Sequence, residues 1–254
     1  MLNGFVSNLI SDLPMLLLSL PVILFSLSFH ELAHGYVSLK LGDPTARNMG
    51  RLTLNPFKHI DPIGFICMVL FHFGWANPVP INTRHFKNPR RDMAISAGAG
   101  PLSNVLLAFV FALVLRLVLF IPSRFLMDDL HAVLAGTAVS KAFIVVAILT
   151  VMLYLGVTIN FSYALFNLIP IPPLDGSRIF YVFLPPKWYF GLMKYERIIA
   201  VVMLLLLWTG VLTLPLSWLS GQLSDLAFSA VGIHQSETAF QSLHIILYYV
   251  SSAI

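Results

Sequence analysis

The sequence predicts an α-helical integral membrane protein, and three observations support this fold class. Of the 254 residues, 58% are hydrophobic and only 10% are charged, and the mean hydropathy is +0.86. Soluble domains carry about 25% charged residues, so a chain of this composition is suited to lipid. We therefore expect one membrane-embedded domain over residues 1–254, with its core at about 14–219, in contact with a lipid bilayer and without a nucleic-acid partner.

Four apolar stretches are long enough to cross the membrane, because a ~30 Å hydrocarbon core needs about 20 residues of helix. They are residues 14–39, 93–121, 139–168 and 198–219. No Lys or Arg precedes the first stretch, unlike in a signal peptide, so we expect it to be retained as a span. The end of the chain, 239–254 within the tail 220–254, mixes apolar and polar residues, which predicts an interfacial helix or a short fifth span.

A fifth apolar stretch at 63–73 is too short to span and predicts a re-entrant segment. Basic residues flank it on both sides, from Lys40 to Lys58 and from Arg84 to Arg91. If the stretch re-enters, 12 of the 15 Lys and Arg residues lie on one side of the membrane. The positive-inside rule assigns such a side to the cytoplasm. We therefore predict a multi-pass protein of the cell membrane, in the cytoplasmic membrane of a prokaryote.

Extended chain is predicted on either side of this re-entrant stretch. Asp43-Pro44 and Asn55-Pro56 are turn signals, and the residues between Arg51 and Leu54 partly alternate. The prolines of 78–82 suit an edge strand, because proline cannot donate to a sheet ladder. We therefore expect a re-entrant and β-strand segment at roughly 42–82.

The first span contains a His-Glu-x-x-His sequence at His30, Glu31 and His34. On a helix, positions i and i+4 share one face, so the two imidazoles can reach one metal ion. Glu31 lies a quarter-turn away, where its carboxylate can reach a water without being a ligand. Ionisable residues in a membrane span carry a desolvation cost, so this sequence predicts a functional site.

A catalytic zinc site typically takes three protein ligands. The remaining candidates on the same side of the membrane are His59, His72, His85, Asp43, Asp61, Asp92 and Asp175. Asp175 is favoured by its context, since it follows three prolines at the end of the third span. Prolines end a helix, and unwound chain at membrane depth is tolerated only in protein or along a cavity. The first and third spans run in the same direction, so their ends can meet near the cytoplasmic face.

These motifs together resemble the site-2 proteases, a family of intramembrane zinc metalloproteases. The resemblance rests on His-Glu-x-x-His at 30–34 and on Asn-x-x-Pro-x-Pro-x-Leu-Asp-Gly at 167–176. It extends to Gly-Pro-x-x-Asn at 100–104 and to Gly-Trp-Ala-Asn-Pro-Val at 74–79, where Asn77 replaces the usual Lys. The sequence shows no PDZ-like insert and no CBS segment, so the resemblance is to the minimal form of the family.

The resemblance implies a zinc endopeptidase that cleaves transmembrane segments of other proteins, with one Zn²⁺ per chain. The implied ligands are His30, His34 and Asp175, and Glu31 is the implied general base. The implied substrate-binding residues are Asn167, Asn104, Trp75, Pro78, Val79 and Pro80. The segment from Trp75 onward would then hold the substrate in extended form, because a helical peptide bond is closed to attack.

Two other functions use the same residues. A divalent-metal transporter would use His30, His34 and Asp175 as a permeation site, although transporters usually contain repeated halves and this sequence has no repeat. A catalytically inactive membrane binding module is the second alternative. The intact His30, Glu31, His34 and Asp175 disfavour it.

Overall fold

The computed structural model describes residues 2–71, 74–120, 140–185 and 194–233, together with Ala132, Lys187 and Gly191. The helices of these ranges are α1 (Leu2–Lys40), α2 (Thr45–Asn48), α3 (Pro62–Phe71), α4 (Pro89–Phe120), α5 (Lys141–Leu168), α6 (Asp175–Phe180), α7 (Glu196–Trp208) and α8 (Thr213–Ala230). Short 3-10 helices lie at Pro56–Lys58 and Thr83–His85. The segment 239–254, for which we predicted an interfacial helix or a fifth span, lies outside the described residues.

Among the described residues, three helices are long and apolar enough to cross a membrane. They cover Met15–Lys40, Pro89–Leu119 and Lys141–Leu168. These helices coincide with the first three predicted spans, because each stretch is apolar over the length that a bilayer requires. The predicted fold class, an α-helical multi-pass membrane protein, is confirmed.

The side chains of α4 show how such a helix divides its surface. Its exposed apolar residues recur every three or four positions, which is the spacing of one helix face. They are Leu102, Leu106, Val110, Leu113 and Leu117. Ala108, Ala112 and Leu115, on the opposite face, are buried. A continuous apolar stripe would be unfavourable in water, so it identifies the lipid-facing side of the helix.

The fourth predicted span, 198–219, is corrected by the structure. The chain there forms two helices, α7 and α8, and the residues between them turn at Gly210. Gly210 has φ +83°, a left-handed conformation that ends a right-handed helix and that glycine adopts without a Cβ penalty. Hydropathy alone did not reveal this break, because apolar residues predominate on both sides of Gly210.

The predicted strands within 42–82 are also corrected, since the described residues contain no β-strand. In the described part of 42–82, the only strand-like pairing is a single antiparallel bridge between Ile60 and Ala76, next to a hydrogen bond from the Asn77 N–H to the His59 carbonyl (2.7 Å). Pro78 and Pro80 have no N–H, so a ladder cannot continue beyond this point.

The short apolar stretch forms α3, whose flanks return to the same place. Gly64 and Gly74 permit this close approach of the backbone. A Cβ on Gly64 would lie 2.3 Å from the Trp75 carbonyl oxygen, and one on Gly74 would lie 2.3 Å from the Gly64 carbonyl oxygen. Together with the bridge between Ile60 and Ala76, these contacts bring the residues before and after α3 next to each other, as expected of a re-entrant segment.

The chain divides into two compact units. The first consists of 1–23, 107–159 and 223–254. Its described core is apolar and includes Leu115, Phe143, Val151 and Val157. Within it, the rings of Tyr154 and Phe228 stack with centroids 5.7 Å apart.

The second unit consists of 24–106 and 160–222. It buries many more polar side chains than a membrane core needs for packing alone. They are Ser26, Ser28, His30, Glu31, His34, Ser38, Asp43, His59, Asp92, Ser96, Ser103, Asn104, Asn160, Ser177 and Ser220. Buried polar groups require partners, so this unit is where a functional site is expected.

We predict that both flanks of α3 face the same side of the membrane. Lys58→Cys and Lys87→Cys, each made in a Cys67→Ala background, should react with a membrane-impermeant thiol reagent from the same side. Both lysines are exposed, and the closed form of the α3 segment returns the chain to its starting side. Lys141→Cys is the matched control and should react from the other side. Labelling of Lys58→Cys and Lys87→Cys from opposite sides would contradict the re-entrant assignment.

Candidate metal centre

Two histidines of α1 present their rings to one point. His30 and His34 are four residues apart and therefore lie on the same helix face. Both are buried, and their rings meet edge-on with centroids 4.6 Å apart. Their Nε2 atoms are 3.0 Å apart. The i, i+4 spacing in the sequence therefore brings the two Nε2 atoms close together.

Asp175 completes the group from α6. Its Oδ2 atom lies 3.1 Å from Nε2 of His30 and 3.1 Å from Nε2 of His34. Asp175 is the first residue of α6, and the chain reaches it through 169–174 after α5 ends. Gly176 permits this tight return, because a Cβ there would lie 2.3 Å from the Leu168 carbonyl oxygen. The prolines therefore end α5, and the glycine lets the chain fold back.

The spacing of these three candidate ligand atoms fits a zinc ion. Zinc bonds of about 2.0–2.1 Å in a tetrahedron place neighbouring ligand atoms about 3.3 Å apart, and the observed separations are 3.0–3.1 Å. Two imidazoles and one carboxylate are also a donor set that zinc prefers. Three such lone-pair atoms repel one another unless a cation or proton lies among them. Within the described residues, this is the one group of three or more His, Cys, Asp or Glu side chains close enough to hold a metal.

The other ring nitrogens of the two histidines are held by hydrogen bonds. Nδ1 of His30 donates to Oδ1 of Asn104 (2.5 Å), and Nδ1 of His34 donates to the Ser96 carbonyl oxygen (2.8 Å). A proton on Nδ1 leaves a lone pair on Nε2, which is the form that binds metal. The hydrogen bonds from α4 therefore prepare both rings for coordination.

Gly100 of α4 makes room for these rings. A Cβ at this position would lie 2.3 Å from Nε2 of His34 and 2.6 Å from Cε1 of His30. Real Cβ atoms essentially never approach so closely, so any larger residue would displace the histidines. A Cβ on Gly98 would have no neighbouring atom within 4 Å. Of these two glycines, only Gly100 is required by the site.

Glu31 is buried beside the histidines and is held by the backbone of another segment. Its Oε2 atom accepts a hydrogen bond from the Val79 N–H (2.8 Å). Val79 is itself buried, and its side chain packs against Gly35, where an added Cβ would lie 3.1 Å from it. The predicted substrate-binding residue Val79 is therefore a direct partner of the predicted base.

We call residues 77–82 the strap, because hydrogen bonds fasten this segment along its length. Arg51 donates to the carbonyl oxygens of Asn77 (2.7 Å) and Pro78 (3.3 Å), and Asn82 N–H donates to Asp43 (2.7 Å). The N–H groups of residues 77, 79 and 82 are thus already bonded, and the two prolines have none. Within the described residues, the carbonyl oxygens of Val79, Pro80 and Ile81 accept no hydrogen bond and the Ile81 N–H donates none, so these are the strap's main groups for binding a peptide.

The other predicted substrate-binding residues differ in their exposure and in their hydrogen-bond partners. Trp75 is half exposed beside the bridge at Ala76, Pro78 is exposed, and Pro80 is partly buried in the strap. Asn167 lies at the end of α5, where its Nδ2 donates to the Tyr163 carbonyl oxygen of the same helix (3.1 Å). Asn104, by contrast, is fully buried behind His30.

Sequence reasoning did not single out Asn160, Ser26 or Ser96. Nδ2 of Asn104 donates to Oδ1 of Asn160 (2.7 Å), and Nδ2 of Asn160 donates to Oγ of Ser26 (2.8 Å). An asparagine within an apolar span is a signal that could have identified Asn160, since amides are rarely placed in lipid without a partner. Ser96 contributes a backbone carbonyl, for which the sequence carries no signal.

Asp43, another candidate ligand in the sequence, has a structural role instead. It accepts hydrogen bonds from the N–H and hydroxyl of Thr45, the N–H of Asn82 and Nδ1 of His85. Burial alone would raise the pKa of the Asp43 carboxyl, but the hydrogen bonds from Thr45, Asn82 and His85 outweigh it and hold the pKa below its usual range. Asp43 thus connects the end of α1 to the strap.

Comparison with known proteins gives a consistent result. The family model described as Peptidase family M50 matches residues 19–210, a range that includes every predicted site residue. The "Putative zinc metalloprotease YwhC" of Bacillus subtilis (strain 168) is 41% identical over 187 residues, which cover 73% of this chain and 76% of that protein.

Two further relatives share the name "Putative zinc metalloprotease Rip2". The protein of Mycolicibacterium smegmatis is 29% identical over 60% of this chain and 52% of its own length. The protein of Mycobacterium tuberculosis (strain H37Rv) is 28% identical over 72% of this chain and 63% of its own length. The chain thus spans less than two thirds of either Rip2 protein. No solved structure matches the chain significantly.

Gly100→Ala should weaken zinc binding at least about tenfold, because its Cβ would displace the Nε2 edge of both histidines. Competition with a chromogenic chelator on the purified protein measures this affinity. Gly98→Ala is the matched control, since its Cβ meets open space on the same helix. Equal zinc affinity in the two variants would show that the histidines do not bind the metal in this geometry.

Asp43→Asn should lower the thermal unfolding midpoint by about 5 °C at neutral pH, because the ionised carboxylate accepts four hydrogen bonds. Since the folded-state pKa is depressed, this stabilisation is present above the ordinary Asp pKa of 3.8 and is lost as the pH falls through the lower, folded-state value. The difference between wild type and variant should therefore shrink on acidification. A constant difference across this range would contradict the role assigned to the charge.

Proposed function

We propose, because the chain belongs to peptidase family M50 and is a zinc metalloendopeptidase, that it hydrolyses peptide bonds within or beside the transmembrane segments of membrane proteins. One observation carries this proposal. His30, Glu31 and His34 lie on α1, which is apolar and long enough to span a bilayer, and Asp175 joins them from just beyond the end of α5, a second such helix. A peptide that reaches these residues must therefore enter the membrane.

His30, His34 and Asp175 are the proposed zinc ligands. Bound there, zinc supplies a positive charge that acidifies water and polarises the substrate carbonyl. The hydrogen bonds from Nδ1 of both histidines hold the rings with their Nε2 lone pairs directed at one point. Asp175 contributes a negative charge, which balances the cation in surroundings of low dielectric.

Glu31 is the proposed general base. It follows His30 directly, so it points about 100° away around the helix and stays outside the ligand set. The Val79 N–H holds one carboxylate oxygen, and the other oxygen can take a proton from the attacking water. As the water oxygen bonds to the carbonyl carbon, Glu31 carries this proton, and it then delivers the proton to the leaving amine when the C–N bond breaks.

The strap and its neighbours are the proposed substrate-binding surface. A substrate helix must unwind before its peptide bond can be attacked, and the unwound chain then needs hydrogen-bond partners in lipid. The strap offers carbonyl oxygens next to Val79, which already touches Glu31. We propose that substrate N–H groups donate to these oxygens, with Trp75, Pro78, Pro80 and Asn167 lining the path.

We also propose an orientation in the cell membrane. If the basic residues before α3, after α3 and after α5 face the cytoplasm, then 12 of the 15 Lys and Arg residues lie there. His30 and His34 lie near the end of α1, which closes at Lys40 on this same side. The active site is then near the cytoplasmic face of a cytoplasmic membrane.

The test is Glu31→Gln in purified protein loaded with zinc and mixed with single-span substrates. Loss of the base should reduce the cleavage rate about 10²–10⁴-fold while zinc content stays at one per chain. Glu196→Gln, at the start of α7, is the matched control and should cleave normally. Equal cleavage by Glu31→Gln and wild type, or zinc transport into vesicles without proteolysis, would overturn the proposal.

A further inference from the structure

Two buried amides connect His30 to a serine one turn earlier on its own helix. Asn104 of α4 and Asn160 of α5 both have fully buried side chains. Asn104 binds Nδ1 of His30 at 2.5 Å and Oδ1 of Asn160 at 2.7 Å. Asn160 then binds Oγ of Ser26 at 2.8 Å. We call these four side chains the amide circuit.

The amide circuit begins and ends on α1. Ser26 and His30 are four residues apart, so they lie on the same face of that helix, one turn from each other. The two amides bridge them through α4 and α5. The ring of His30 is thereby held relative to its own backbone by side chains from two other helices, which a direct contact between Ser26 and His30 would not achieve.

The direction of hydrogen bonding in the circuit matters for metal binding. With the amide oxygen and nitrogen atoms assigned as they are, His30 donates, and each amide accepts on one side and donates on the other. Turning both amides round would make Asn104 the donor to Nδ1 and would move the ring proton to Nε2. Only the first of these two directions leaves an Nε2 lone pair, which coordination requires.

Interhelical packing alone does not account for this arrangement. Intramembrane asparagines often join helices, and a pair between Asn104 and Asn160 would do so without further partners. Here the pair continues at one end to a metal ligand and at the other to a hydroxyl that can accept from Asn160. The donor and acceptor order is the one that a zinc-binding imidazole needs at its far nitrogen.

We propose that Asn160, acting through Asn104, is a positioning residue that sets the tautomer and ring orientation of His30. This inference rests on the proposed zinc ligation by His30. It assigns Asn104 to the metal centre, behind the ligand, and it gives a function to an α5 residue that lies outside the sequence motifs. Removing either amide should weaken zinc affinity more than it weakens substrate affinity.

The experiment measures zinc affinity by chelator competition in the purified full-length protein, and the visible spectrum of the Co²⁺-substituted form. Asn160→Leu and Asn104→Leu remove the hydrogen bonds at similar volume. Asn104→Asp keeps an oxygen that accepts from His30 and tests rescue. Thr150→Val is the matched control on α5, because Thr150 is buried and its hydroxyl has no partner in the described part of the chain.

We expect Asn160→Leu and Asn104→Leu to bind zinc about 10–100-fold more weakly, as for other residues that orient metal-bound histidines. Their Co²⁺ bands should shift, Asn104→Asp should bind zinc within about threefold of wild type, and Thr150→Val should match wild type. Where Asn160→Leu does not fold, Ser26→Ala makes the same test with a smaller truncation and should weaken zinc binding several-fold.

Two results would overturn the inference alone. One is wild-type zinc affinity and an unshifted Co²⁺ spectrum in both leucine variants, and the other is an equal loss of affinity in Thr150→Val. Failure of the proposed function is recognised separately by His30→Ala. That variant must lose zinc, and if it keeps wild-type affinity, then the ligand assignment and this inference are both wrong.

Discussion

Placement of two buried histidines, one buried glutamate and one partly buried aspartate among apolar helices is the constraint on which this structure depends; the four residues are His30, His34, Glu31 and Asp175. Each of these groups carries a desolvation cost in lipid, and the cost is offset only when every polar atom has a partner. The contacts of the second unit follow from this requirement. His30 and His34 bond to α4 through Nδ1, their Nε2 atoms converge with Asp175, and Glu31 bonds to Val79.

The same constraint explains where the backbone approaches most closely. Gly100 lets α4 touch the ligand edge of both histidines, and Gly176 lets α6 fold back against the end of α5. Gly35 similarly admits Leu52 and Val79 against α1. In each case a Cβ would push apart two elements that are in contact. These glycines are therefore needed for close packing of the backbone and not for its flexibility.

The strap connects the candidate metal centre to the segment that follows α3. Arg51 and Asp43, which follow α1 in the chain, form hydrogen bonds with the strap, and Glu31 of α1 accepts one from it. Movement of the strap would therefore displace the Glu31 carboxylate. Because prolines and occupied N–H groups prevent ladder formation, this segment remains extended without becoming a strand. The sequence indicated extended chain there, but an alternating pattern does not show which N–H groups side chains will occupy.

By itself the sequence determined the fold class, three of the spans and the candidate ligands, because hydropathy, span length and the i, i+4 spacing act locally along the chain. The break at Gly210, the absence of strands from the described part of 42–82 and the partners of Asn104 and Val79 were decided only by the tertiary structure. The break at Gly210 is a single backbone conformation that averaged hydropathy does not register, whereas the partners of Asn104 and Val79 depend on atoms far apart in the chain. A hydrogen bond such as that from His30 to Asn104, across 74 residues, leaves no periodic signal, so only the packed helices reveal it.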